Sequence, residues 1–124
     1  MHVKTDADDV RIRKNGCDIR ELYPWQGVVA PPWNSTLCSI RPTESSTPHG
    51  HATDETFIFV SGEGHLRVGT ERRPITPGDV VYIPHGTDHQ VTNTSETDPL
   101  TFVSIYWLQP AEPAEPAEPA EDAR

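Results

Sequence analysis

The chain has 124 residues, the size of one domain. It is polar, with 34% hydrophobic and 23% charged residues and a mean hydropathy of -0.59, and no run approaches the roughly 18 consecutive apolar residues that a membrane-spanning helix needs. Nineteen acidic against ten basic residues leave a net charge of -9, which excludes nucleic-acid binding through a broad basic face. Residues 1–20 are charged, with weak apolar spacing (Val10, Ile12, Ile19), and are expected to be a mobile segment or an edge strand ahead of a domain at 21–109. They hold no apolar run of the secretory-signal type, so the expected location is cytoplasmic. Leu22-Tyr23-Pro24-Trp25 and Pro31-Pro32-Trp33 predict a loop that packs across an opening or against a partner subunit.

From there the pattern is of short strands. Residues 36–41 alternate, as do residues 55–60, which end at Gly62-Glu63-Gly64, read as a hairpin turn. Residues 65–68 follow, then Arg72-Arg73-Pro74, read as another turn. Residues 79–83, 89–93 and 100–108 complete the set, the last being the longest and rich in aromatic and β-branched side chains. Six or more strands spaced near ten residues, with no stripe of helical period, predict an all-β antiparallel sandwich or small barrel. Residues 110–124 repeat Pro-Ala-Glu and are expected to be a disordered, extended tail or linker. Cys17 and Cys38 sit in no C-x-x-C pair and are read as free thiols, with Cys38 in the core.

The chemistry concentrates in two strings. In His49-Gly50-His51, followed by Glu55, the two histidines of an extended segment point to one side, and a carboxylate four residues on can return to the same point. The second string holds Gly78, Pro84, Gly86, His89 and Asn93 and supplies a further imidazole. Three imidazoles and one carboxylate suit one borderline divalent transition ion (zinc, iron, manganese, nickel or copper), whereas calcium and magnesium prefer oxygen shells. The alternative is four unrelated loop histidines and acids in a polar chain; the fixed spacing of the second string argues against it.

These strings resemble the two motifs of the cupin superfamily. His49, His51, Glu55 and Gly62 match the first motif, whose leading glycine is replaced by Thr43; Gly78, Pro84, Gly86, His89 and Asn93 match the second. The resemblance spans roughly residues 35–108. It implies a double-stranded β-helix, a jelly-roll barrel with the metal inside, and His49, His51, Glu55 and His89 as its ligands. It also implies a homodimer. A narrower resemblance, carried by the aromatic segments 22–25 and 31–33 and the closing Ile105-Tyr106-Trp107, is to cupin domains associated with methionyl-tRNA-synthetase-like proteins, which form nitrogen–nitrogen bonds in secondary metabolism. It implies a synthetase-like partner protein.

Period two extends the reading to the walls. If Glu55 and His89 face inward, so do Phe57 and Phe59 on one strand and Val91 and Asn93 on another. On the last strand Phe102, Ser104 and Tyr106 share a face, and Ser104 and Tyr106 become pocket candidates if that face is the inner one. Core packing for the phenylalanines and a strand-end hydrogen bond for Asn93 are the competing assignments. His85 and Asp88 are either orienting partners of His89 or exposed turn residues. The function expected is a metal-dependent cupin enzyme on a small polar metabolite, of rearrangement, isomerase or dioxygenase type. The competing reading is a non-enzymatic small-molecule-binding or accessory cupin with a structural metal.

Overall fold

Alternating apolar residues fold into two antiparallel sheets in a computed structural model that describes residues 1–109. In chain order the strands are β1 (Ile12–Lys14), β2 (Cys17–Tyr23), β3 (Asn34–Ile40), β4 (Asp54–Ser61), β5 (Gly64–Val68), β6 (Glu71–Ile75), β7 (Val80–Ile83), β8 (His89–Asn93) and β9 (Leu100–Trp107). The larger sheet runs β1-β2-β3-β9-β4-β7 and the smaller β6-β5-β8. Bridges from Ser45 to Thr92 and from His49 to His89 lay the segment before β4 alongside β8. The facing sides enclose Ile40, Phe57, Phe59, Leu66, Ile75, Ile83, Val91, Leu100 and Phe102, all buried. Phe57 and Phe59 flank Phe102, with ring centroids 4.5 and 5.3 Å apart. The two-sheet, jelly-roll expectation is met, and no helix among the described residues is long and apolar enough to cross a membrane. The Pro-Ala-Glu tail lies outside the described residues.

Three local expectations are corrected. The sheet begins at Ile12, so a boundary at residue 21 falls inside β2. Asn15 and Gly16, both at positive φ (54° and 78°), turn β1 into β2; an Asn-Gly pair between strands is a direct hairpin signal that the low apolar content nearby obscured. Arg20 of β2 then ties down the first residues, donating to Asp9 at 2.7 Å and to the Lys4 carbonyl at 3.2 Å. Second, Gly62-Glu63-Gly64 is not a hairpin turn but the corner where the chain leaves one sheet for the other. Glycine is required there: a Cβ on Gly62 would stand 2.6 Å from the Pro99 carbonyl oxygen, and one on Gly64 2.0 Å from that of Thr92. Third, Arg72-Arg73-Pro74 lies within β6 rather than in a turn; β6 is an edge strand, where proline's missing donor is tolerated.

The large sheet's outer face is apolar across β3, β9, β4 and β7: Leu37, Val103, Ile58 and Val80 form one row, Ile105, Thr56 and Tyr82 the next, with Val80 and Tyr82 exposed.

Candidate metal centre

His49 and His89 face each other across an antiparallel bridge, each backbone N–H donating to the other's carbonyl at 3.3 and 3.0 Å. The ring of His51 lies 4.3 Å from that of His49 and 5.8 Å from that of His89, centroid to centroid. Potential ligand atoms of all three lie within 4.8 Å of one another. The two motifs are held together locally: Gly86, at φ 75°, donates its N–H to the His51 carbonyl at 2.6 Å, and the Gly50 backbone lies against Gly86 and Thr87 closely enough that a Cβ would come within 3.3–3.4 Å of them. At the motif's missing glycine, Thr43 adopts φ 65°, a conformation that costs a residue with a Cβ roughly 1–2 kcal/mol.

The hydrogen bonds choose the tautomers. His49 Nδ1 is 2.5 Å from the Thr47 carbonyl and His89 Nδ1 3.1 Å from that of Thr87. A carbonyl only accepts, so each Nδ1 is the donor, and in the neutral ring that leaves the Nε2 lone pair for a metal. Partial desolvation of the His51 ring, opposed by Glu55 and reinforced by His49, His89 and Lys14, holds that imidazole below its ordinary pKa, in the neutral, ligating form.

Glu55 completes the set. It is buried on β4, and its Oε2 accepts the Ser104 hydroxyl from the neighbouring strand β9 at 2.5 Å. Its Oε1 is the one buried side-chain polar atom without a partner among the described residues, and it lies 3.5 Å from His89 Nε2. An unpartnered, charged buried oxygen costs at least about 1–3 kcal/mol. A divalent ion held by His49, His51, His89 and this oxygen would remove that cost, so the residues fit the metal that their spacing predicts. With three nitrogens and one oxygen, the donor set matches borderline transition ions.

These groups line a cavity of about 380 Å³ between the sheets. Phe57, Val91, Ser104 and Tyr106 line it; the β9 face carrying Phe102, Ser104 and Tyr106 is the inner one. Phe59 and Asn93 do not. Both face inward, but two residues further along their strands, where the space is closed by Phe102 and by the 94–98 loop. Asn93 instead donates to the carbonyls of Ile40 (3.0 Å) and Asp98 (2.9 Å) and accepts from the Ser95 N–H (2.9 Å). Sequence reasoning missed the wall supplied by β2 and β3, with Cys17, Ile19, Thr36 and Cys38, although the alternation in residues 36–41 would have marked Thr36 and Cys38 as one face. Burial pushes the Cys17 thiol up to about 11 and that of Cys38 to about 12, so both stay protonated near neutrality and make poor ligands.

His85 and Asp88 orient other groups. The backbone N–H and Nδ1 of His85 both reach Asp54 Oδ1 at 3.0 Å, joined there by the Tyr82 hydroxyl at 2.9 Å. The bonds from His85, with that from Tyr82, hold the Asp54 carboxyl below its usual range. Asp88 pairs with Arg67 at 3.0 Å. Tyr23, Trp25 and Trp33 pack on one another, with Tyr23 and Trp33 5.0 Å apart, and none lines the cavity.

Ser104 therefore acts on Glu55 rather than on a ligand. Ser104→Ala should lower metal affinity by about 10–100-fold, the usual size for loss of a partner that orients a ligand, and Ser104→Thr should restore most of it. A competition titration against a chelator measures this; unchanged affinity in the alanine variant would refute the role.

Comparison with known proteins agrees with this geometry. A family model described as "Cupin domain" matches residues 36–106. The chain is 34% identical over 98 residues to an uncharacterised protein of Methanocaldococcus jannaschii, covering 73% of this chain and 75% of that one. It is 36% identical over 74 residues to a vicilin-like seed storage protein of Arabidopsis thaliana, covering 56% of this chain but only 15% of that protein. Among solved structures it resembles a protein of Photorhabdus luminescens (TM-score 0.77, 31% identity, 86% and 87% of the two chains) and a Cupin 2 conserved barrel domain protein of Salinispora arenicola (0.75, 32%, 86% and 88%). Bacillus subtilis oxalate decarboxylase, a protein described with Mn(II) centres, shares the fold at 24% identity (TM-score 0.70, 82% of this chain and 28% of that one).

Proposed function

The chain belongs to the cupin domain family, and from that premise we propose that it is a metal-dependent enzyme acting on a small polar metabolite. The observation that carries the reading is the unpartnered Glu55 Oε1 beside three imidazoles, two of which, His49 and His89, turn Nδ1 to a backbone carbonyl and leave Nε2 for a metal, at the wall of a cavity. When bound, the divalent ion supplies a Lewis-acid centre. His49, His51, His89 and Glu55 hold it in place. Phe57, Val91 and Phe102 exclude water from the deeper wall, and the Tyr106 hydroxyl is a neutral hydrogen-bonding group there, its pKa raised by burial. Rearrangement and oxygenation are the reaction types in view. The nitrogen–nitrogen reading rests on the aromatic segments and the Pro-Ala-Glu repeat; the rings of Tyr23, Trp25 and Trp33 pack on each other outside the cavity, and of the closing segment Tyr106 lines it. The apolar outer face of the large sheet supports pairing of two copies of the chain.

The competing reading, a binding or accessory protein with a structural metal, predicts a closed coordination shell. Cobalt-loaded protein titrated with azide separates the two: the visible bands of an open centre shift and saturate at about one azide per metal. Bound cobalt whose spectrum ignores azide would overturn the enzymatic reading.

A further inference from the structure

We propose that Lys14 reads the charge of the ligand, and that this ligand is a small organic dianion with one carboxylate at the metal centre and the other at the Lys14 ammonium. The inference rests on the metal-centre reading and goes beyond it to the substrate class.

Among the described residues Lys14 is the one basic side chain of Lys or Arg type lining the cavity. Lys4, Arg11, Arg13, Arg20, Arg41 and Arg67 each pair with a carboxylate; Lys14 has none within 4.0 Å among the described residues. Arg72 and Arg73 on the edge strand β6 also lack a carboxylate partner among the described residues, but neither lines the cavity. The placement of Lys14 is built into the fold. Lys14 ends β1, opposite the buried Cys17, and the Asn15–Gly16 turn that follows is docked on the segment leading to His49. Thr47 donates its N–H to the Asn15 carbonyl at 2.9 Å, and a Cβ on Gly16 would stand 2.6 Å from the Ser45 oxygen. This hairpin precedes residue 36, so it lies outside the part of the chain that matches the family.

The charges then define the ligand. Among the described residues Glu55 is the only carboxylate on the cavity wall, and Ser104 and the metal position occupy both its oxygens. A divalent ion and Lys14 against Glu55 leave two positive charges, and the remaining wall is apolar or neutral. A dianion balances them. The net charge of -9 repels anions at long range, but salt screens that repulsion beyond roughly 8–10 Å, so the local pair decides.

The test titrates cobalt-loaded wild type, Lys14→Gln and Lys14→Arg with succinate and with butyrate, which keeps the chain length and one carboxylate, and follows the cobalt spectrum. Wild type should prefer succinate by roughly threefold to tenfold, as expected of a partly screened charge pair. Lys14→Gln should abolish the preference, and Lys14→Arg should keep it. Equal binding of the two anions by wild type, or a preference that survives in Lys14→Gln, overturns this inference and leaves the metal reading standing. A protein that holds no cobalt overturns both.

Discussion

Purified His51→Ala should retain only a small fraction of the roughly one metal ion per chain expected of the wild type, as measured by elemental analysis after dialysis. The ring of His51 is exposed at the cavity rim, so its removal takes away a ligand without opening a hole in the core. His89→Ala should lose the metal too, but with a fall in thermal stability, because His89 is 3% exposed and packs against Phe57 at 5.6 Å. Glu55→Gln separates charge from shape. An amide oxygen can still accept from Ser104, but the negative charge facing the imidazoles is gone, so the variant should fold and bind metal more weakly than the wild type. Equal metal content in wild type and His51→Ala would remove the assignment.

Asn93→Ala should destabilise the fold by about 2–4 kcal/mol in denaturant titrations, while metal content in the folded protein stays near the wild-type level. The side chain is 1% exposed and makes three hydrogen bonds to backbone groups of β3 and the 94–98 loop. Removing it strands two carbonyls and one N–H in or near the core. Asn93→Asp is expected to be worse at neutral pH, since a carboxylate would face the carbonyls of Ile40 and Asp98 with no proton to donate. Acidification into the carboxyl range should recover part of that loss. A stable Asn93→Ala variant with altered ligand binding would instead return Asn93 to the cavity wall. The motif asparagine thus serves the scaffold, two residues beyond the last position on β8 that reaches open space.

Asn93 also shows where period-two reasoning stops. Alternation correctly sends Phe57, Phe59, Val91 and Asn93 inward, because successive side chains of a strand must point to opposite faces. It carries no information on depth. Whether an inward residue meets cavity or core depends on what the opposite sheet places there, and Phe102 fills that space beside Phe59.

The all-β class, the strands from residue 36 onward apart from β6, and the three histidines of the candidate metal centre were legible in the sequence alone. They depend on local periodicity and on residue types at short, fixed spacings, and both survive as written because an extended chain has one geometry. The tertiary structure decided the rest. Pairing of β9 with both β3 and β4 sets Ser104 against Glu55 across 49 residues of chain, and so leaves one carboxylate oxygen for the metal. Docking of the N-terminal hairpin on residues 45–47 delivers Lys14 to a cavity whose motifs begin far downstream. Such contacts are between strands distant in sequence, and their register follows from the packing of whole sheets against each other, which no local spacing encodes.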